Sequence, residues 1–548
     1  MPRRLIHCLI ALLLAAALPA VHAQEQPPQP ADTDFEHLAA QLPDADYARK
    51  RELITKIAAT GKSAAKILIT ALLDGTLQSR DSDHQLFVVA DSGDGYTLTD
   101  ALTGAPAGHA PADGFTKIGT NNQLRKTLRN AIAQLDLANP DAAVRLAAVT
   151  EMLRGIDEEA ASLLRGQVVR EPDARVRKQM QVAIAIGDLE VSDPAKRLAA
   201  VESVQGSLNP EVYNRLKALV AVSDDGTAAE PDDAVRGAAR DALKNIDRTR
   251  SLNAAVETLF FGLSLGSVLV LAGIGLAITF GVMGVINMAH GELMMLGAYT
   301  TYVVQLLMPH ALGTALIVAI PAAFLVSGAV GVLIERGIVR FLYGRALETL
   351  LATFGVSLIL QQLVRDVFSP NNRPVETPSF MAGSLQINEV LSITYTRLYI
   401  VLFTLVVFFV LLAVLKRTRL GLEVRAVSQN RAMARAMGIR TEWVDALTFG
   451  LGSGIAGIAG VALSQLTNVG PNLGQSYIVD SFMVVVFGGV GNLWGTQIGG
   501  TSLGVINKLL EPYAGAVLAK ILVLVFLILF IQRRPRGLFP QKGRAAEG

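Results

Sequence analysis

Two short stretches gather most of the residues able to do specific chemistry. Gly281-Val282-Met283-Gly284-Val285-Ile286-Asn287-Met288-Ala289-His290-Gly291-Glu292 and Gly488-Gly489-Val490-Gly491-Asn492-Leu493-Trp494-Gly495-Thr496 are both apolar, glycine-dense and centred on an asparagine. A buried amide needs a hydrogen-bond partner, so Asn287 and Asn492 are the strongest candidates for contact with a polar, uncharged species. His290 and Glu292 could act as acid and base, but two such groups are too few for an enzyme site and mark a break in a helix. Gly61-Lys62-Ser63 resembles the end of a phosphate-binding loop, yet Lys56 stands where the first glycine of that loop belongs. Cys8 is the only cysteine, which leaves no disulfide or thiol nucleophile in the rest of the chain. Neither a metal-ligand cluster nor a nucleophile–base pairing emerges, so no covalent chemistry, metal or cofactor is expected.

The elements that hold these residues follow from composition. The chain has 548 residues, 51% of them hydrophobic, which is too apolar for an ordinary soluble protein. Its net charge of +2 is too near balance to point to nucleic acid. Ala31 to Arg250 is rich in charge, whereas long uncharged runs follow Leu252. Eight uncharged or nearly uncharged runs occur: Thr258–Ala289, Leu293–Met308, Ala311–Ile334, Thr349–Val364, Leu398–Leu415, Ala446–Pro471, Ser481–Asn507 and Tyr513–Ile531. Basic residues lie in one loop at Arg336, Arg340 and Arg345, in another from Lys416 to Arg440, and in the tail at Arg533, Arg534, Arg536, Lys542 and Arg544. Those segments are cytoplasmic by the positive-inside rule, and Asp366 to Thr396 is periplasmic. An exported N-terminal part and an inside C-terminus require an odd number of crossings, so one long run hides an extra crossing or a re-entrant turn. The two Gly/Asn stretches suit that role, because irregular backbone at membrane depth must be covered by protein or line a cavity. Asn287, His290, Gly291, Glu292, Gly488, Gly491 and Asn492 are therefore the candidate pathway residues. Few acids lie mid-span, which argues against an ion-driven transporter. Lys508 and Lys520 read as snorkelling near helix ends.

Ahead of the membrane part, Met1 to Ala23 has the basic start, apolar run and small-residue cut site of a cleaved signal peptide. Residues 24–34 form a linker, and 35–250 form a periplasmic helical domain. Pro140-Asp141, Pro172-Asp173, Pro194 and Pro231-Asp232 each open a similar phrase, at intervals of 32, 22 and 37 residues. This predicts a HEAT-like helical repeat, with proline in the first turn and an acid at the positive end of each helix. Strand, turn and strand at Gln85–Ala90, Ser92–Gly95 and Tyr96–Thr99 predict a β insertion at about 84–104. The transmembrane part covers 251–540 and a cytoplasmic tail 541–548. The fold class is thus all-α: a polytopic bundle of about eight or nine spans behind a helical repeat domain.

One cytoplasmic segment looks built for contact with another protein. Arg425 to Ile439 reads as a single short helix with Ala426, Asn430, Ala434 and Gly438 on one small-residue face, flanked by Arg425, Arg431 and Arg435.

Taken together, the Gly281–Tyr299 run, this helix, Phe487–Asn492 and the closing Arg534-Pro535-Arg536-Gly537-Leu538 resemble the permease subunits of branched-chain amino-acid (high-affinity) ABC importers. The exported domain and the wording from Gly489 to Thr496 resemble the urea-importing branch. The resemblance implies two cytoplasmic ATPase subunits, a second homologous permease subunit and a periplasmic substrate-binding protein, all around a chain set in the inner membrane. It also implies that Asn430 to Ile439 is the element touching an ATPase, although Asn430-Arg431-Ala432 stands where many importers carry Glu-Ala-Ala. A permease of this kind works by alternating access; a passive channel or secondary transporter with a sensor domain is the rival of another class. Urea suits a path of amides and hydroxyls, whereas a branched-chain amino acid needs charged partners for both its termini.

Overall fold

The computed structural model describes residues 30–539, apart from 94, 157 and 223–225. The segment expected as a signal peptide, with Cys8, and the tail from 541 lie outside the described residues. The chain divides into two compact units, Met1–Ile246 and Asp247–Gly548, and the dividing point falls inside one helix, α10 (Asp233–Met283), close to the charge boundary at Arg250.

The first unit opens with three helices, α1 (Pro30–Ala40), α2 (Tyr47–Ala59) and α3 (Ser63–Asp74), so helix begins at Pro30, inside the segment expected as linker. A five-stranded antiparallel sheet follows in the order β4-β3-β2-β1-β5, with β1 Leu77–Arg80, β2 Leu86–Asp91, β3 Tyr96–Asp100, β4 Pro106–Ala110 and β5 Phe115–Lys117. The predicted hairpin is β2 and β3, closed where Ser92 N–H donates to Gly95 O. The insertion is wider than 84–104, because β1, β4 and β5 join it. Those three were hard to read: β1 is four residues long directly after a helix, and β4 is an exposed edge strand carrying Pro106 and Gly108. Leu53, Ile57, Leu68, Leu72, Leu124 and Leu128 fill the core beneath.

Helices α4 (Asn122–Asp136), α5 (Ala142–Met152), α6 (Glu158–Val168), α7 (Ala174–Asp188), α8 (Pro194–Ser203) and α9 (Pro210–Leu219) stack on a second core around Val149, Met180, Ile186 and Val201. The recurring phrases cap these helices. Asp141, Asp173, Asp193 and Asp232 each accept a backbone N–H of the first turn. Proline stands in the first turn only in α8 and α9; in the Pro-Asp phrases it precedes the cap. An arginine four residues after each aspartate folds back onto the carbonyls in front of the helix: Arg145, Arg177, Arg197 and Arg236. Two of the four also meet a buried glutamate from the next phrase in a bidentate pair, Arg145 with Glu171 at 2.7 and 2.9 Å and Arg197 with Glu230 at 2.8 and 2.9 Å.

Among the described residues the second unit holds nine helices of fifteen residues or more: α10, α11 (His290–Leu307), α12 (Leu312–Gly337), α13 (Ala346–Phe368), α14 (Tyr395–Arg417), α17 (Thr441–Ser464), α18 (Leu473–Gly488), α19 (Leu493–Ala514) and α20 (Ala516–Arg533), with the short α15 (Arg419–Gln429) and α16 (Arg431–Ala436) between α14 and α17. Six of them, α10, α12, α13, α14, α17 and α20, are long and apolar enough to cross a bilayer. The predicted run Thr258–Ala289 breaks after Met283 and Ser481–Asn507 breaks after Gly488, both within the Gly/Asn stretches. Helices α11, α12 and α17 pack most closely, and Gly297 lies so near Gly457 that a Cβ on it would overlap that backbone.

Candidate translocation path and coupling segment

At the first break Gly284 takes φ +69°, which suits only glycine there, and α11 does not start until His290. Asn287 is fully buried, and its Oδ1 accepts the Ala289 N–H at 3.0 Å. The freed backbone finds a partner on α13, where Thr353 Oγ1 accepts the Met288 N–H at 3.1 Å. His290, also buried, lies 2.8 Å through Nε2 from the Ala272 carbonyl of α10. A carbonyl only accepts, so Nε2 donates and Nδ1 is left as an acceptor. Glu292 points the other way, into α13: its Oε1 accepts from Ser357 Oγ at 2.9 Å and from Gln361 Nε2 at 2.7 Å. Asn287 Nδ2, His290 Nδ1, Glu292 Oε2 and the Tyr299 hydroxyl are buried with no hydrogen-bond partner among the described residues. Sequence reasoning missed Thr353, Ser357 and Gln361. Their signal was present: Thr349, Thr353, Ser357 and Gln361 recur every fourth residue in an otherwise apolar helix, and all four are buried.

The second break is covered from the C-terminus. Gly489 and Gly491 take φ +104° and +80°. Asn492 caps α19 by accepting the Gly495 N–H at 3.1 Å, while its Nδ2 donates to Phe539 O at 3.2 Å. Leu538 N–H donates to Phe487 O and Phe539 N–H to Gly488 O, so the closing Arg-Pro-Arg-Gly-Leu phrase satisfies the end of α18. The two breaks meet: a Cβ on Gly281 would overlap Cα of Gly491. Gly488 lies against Gly495, and Gly291 against Gly474 of α18.

Charge inside this unit is scarcer than in the first but not absent. Glu292 is buried in the first turn of α11, and Asp480 of α18 is paired at 3.3 Å with Lys520 of α20, so Lys520 reaches a neighbouring helix in addition to solvent. Lys508 bonds Glu511 one turn along its own helix.

The coupling segment departs from its expected form. It is two helices, with Asn430 at the joint in an extended conformation, φ −149° and ψ 96°. Asn430 ends α15 and caps α16, its Oδ1 accepting the Met433 N–H at 2.9 Å. The side chain thus competes with the continuing helix for backbone donors, and Ala426, Asn430, Ala434 and Gly438 do not form one continuous face. Val424, Val427 and Ala434 turn inward onto Val444, with Ala426 and Ile439 against them. Arg425, Arg435, Met433 and Met437 are exposed. Arg431 is not free for a partner: it pairs with buried Asp445 of α17 and lies over the Tyr343 ring. A cavity of about 600 Å³ opens between Gly281, Asn492, Lys416 and Arg425.

Comparison with known proteins settles the class of this unit. The family described as "Branched-chain amino acid transport system / permease component" matches residues 258–531. The chain belongs to this family of ABC-type permeases. It is 32% identical over 293 residues to the high-affinity branched-chain amino acid transport system permease protein LivH of Salmonella typhimurium, covering 52% of this chain and 94% of that one. It is 31% identical over 293 residues to the corresponding protein BraD of Pseudomonas aeruginosa, covering 52% and 95%. A shorter likeness, 31% over 110 residues, joins it to the ribose import permease protein RbsC of Escherichia coli, covering 19% of this chain and 34% of that one. No solved structure matches. As a member of a permease family the chain is a membrane transport component and not an enzyme, and the family match begins beyond the whole first unit.

Proposed function

We propose that this chain is a solute-conducting subunit of an ATP-driven importer of the bacterial inner membrane, that its solute is urea or a short amide, and that separate ATPase subunits drive it by alternating access. The observation that carries this reading is the meeting of the two helix breaks at Gly281 and Gly491, with buried amide, imidazole and carboxyl groups around the first break holding unpartnered polar atoms. Such atoms cost free energy while unpaired, and a passing solute with several N–H and C=O groups can pair them in turn. Asn287, His290, Glu292 and Asn492, with Gly291, Gly488 and Gly491 keeping backbones close, are the pathway residues in this reading. Exposed Arg425, Arg435, Met433 and Met437, and the joint at Asn430, form the surface an ATPase grips. Remaining partners are a second homologous permease and a periplasmic binding protein.

Taking all nine helices as crossings, the six long apolar ones together with α11, α18 and α19, gives an odd number, which puts the first unit and the C-terminus on opposite sides. The same alternation puts the basic loops after α12, α14 and α20 on one side, as the positive-inside rule requires of a cytoplasmic face. The first unit is then periplasmic. Its repeated caps and Arg–Glu pairs support a HEAT-like stack there.

The second reading, a branched-chain amino acid as solute, is favoured by the names of the relatives and by Glu292, whose free oxygen could meet an ammonium group. For urea stands the first unit, which the family match leaves out, and the amide-rich character of both breaks. Uptake of labelled urea and labelled leucine in a strain lacking this chain, with and without the restored gene, separates the two. Restored leucine uptake with unchanged urea uptake would sink the urea assignment.

A further inference from the structure

The 600 Å³ cavity beside the second break shares Gly281, Gly491, Asn492 and Arg425 with the transport reading, which leaves its apolar lining, Lys416 and Trp494 unused. Its lining includes the apolar Ala277, Ile278, Leu412 and Leu415 together with Lys416, Arg425 and Trp494. No carboxylate lines it. Among the described residues neither Lys416 nor Arg425 forms an ion pair, whereas Arg431 pairs with Asp445 and Arg435 bonds Thr441. Trp494 is half exposed and packs edge-on at 5.0 Å against Phe408, so its ring is fixed at the rim. Outward-facing Val406, Phe409 and Val410 make α14 a helix that meets lipid. The cavity therefore brings together hydrocarbon, an indole and two unpaired cations, the chemistries that suit an acyl chain, a glycerol level and a phosphate.

We propose that this cavity is a binding site for one anionic phospholipid of the cytoplasmic leaflet. The phosphate sits between Lys416 and Arg425, with Gln429 as a hydrogen-bond donor, and an acyl chain lies along Ile278 and Leu412. Basic pockets between spans at the cytoplasmic level attract anionic headgroups, and a fixed tryptophan belongs at the headgroup boundary. Because the same cavity touches α15 and the Gly491–Asn492 break, the lipid braces the coupling segment against the second break. The proposal rests on the membrane orientation given above.

The chain has only two tryptophans, Trp443 and Trp494, so Trp443→Phe makes indole fluorescence a reporter of this cavity. The full-length W443F chain is reconstituted in bilayers in which a small fraction of lipid is brominated phosphatidylglycerol or brominated phosphatidylcholine. Each cation near an anionic headgroup contributes about a fivefold preference, so quenching should require roughly tenfold or more less brominated phosphatidylglycerol than phosphatidylcholine. Adding Lys416→Gln and Arg425→Gln should make the two lipids equivalent, while Lys416→Arg with Arg425→Lys keeps the preference. Soluble inorganic phosphate should leave the lipid quenching unchanged. Equal quenching by both lipids in the W443F chain would overturn the proposal, as would competition by free phosphate. If the double glutamine variant does not fold, the comparison of lipids in W443F and in the charge-conserving variant decides it alone.

Discussion

At the scale of single residues, Glu292 and Gly281 carry the most consequence. Glu292 spends one oxygen on Ser357 and Gln361 and keeps the other free and buried. Replacing it by glutamine preserves shape and an acceptor for Ser357 but removes the free carboxylate oxygen. A hydrogen bond to a charged group is worth about 1.5–3 kcal/mol, so uptake of labelled solute should fall by roughly tenfold or more at an unchanged amount of chain in the membrane. Unchanged uptake would remove Glu292 from the path. Gly281 has no room for a side chain beside Gly491. Gly281→Ala must push the two breaks apart, an overpacking cost of about 1–3 kcal/mol. Its expected result is a chain that melts lower and transports poorly, whereas the same change at Gly355, whose Cβ position is open, should be silent in both assays.

At the scale of elements, two devices set local stability. Asn430 divides α15 from α16, and Asn430→Ala removes a cap worth about 1 kcal/mol. The segment should then fray or fuse into one helix, and solute-stimulated ATP hydrolysis by the reconstituted importer should drop several-fold while chain level holds. Full retention of stimulation would show that the joint is not gripped. In the first unit, the Arg145 and Arg197 guanidiniums hold the Glu171 and Glu230 carboxyls below the ordinary carboxylate range through hydrogen bonds, against the upward pull of burial. A lowered value in the folded state means that each pair contributes fully above the unfolded value of about 4.3 and loses that contribution as pH falls through the folded one. Hydrogen exchange in helices α5 to α9 should stay slow from neutral pH down to about 5 and quicken in the acid range below the unfolded value. Glu171→Gln with Glu230→Gln should quicken it already at neutral pH and flatten its acid dependence.

At the scale of the whole molecule, the proposed alternation of nine crossings sets which loops share a face. Because Cys8 is the only native cysteine, new cysteines report topology cleanly. Glu389→Cys, in the exposed loop before α14, should react with a membrane-impermeant maleimide in intact cells. Arg345→Cys, between α12 and α13, should react only after the inner membrane is opened. The opposite pattern would invert the chain and remove the ATPase contact from α15 and α16.

Composition alone announced a charged first part, an apolar second part and the basic loops, because hydrophobic burial and charge placement are read residue by residue along the chain. The two helix breaks were legible for the same reason: runs such as Gly281–Gly284 and Gly488–Gly491 weaken a helix wherever they stand. Three-dimensional packing decided the rest. That Gly281 faces Gly491, that the Arg536–Phe539 segment caps the end of α18, and that Glu292 bonds residues 65 and 69 positions away depend on which helices become neighbours, which no local pattern encodes. Asn430 marks the boundary between the two kinds of knowledge. Its type and place were plain in the chain, but whether it lay on a helix face or ended the helix depended on inward packing of Val427 and Ala434 against Val444.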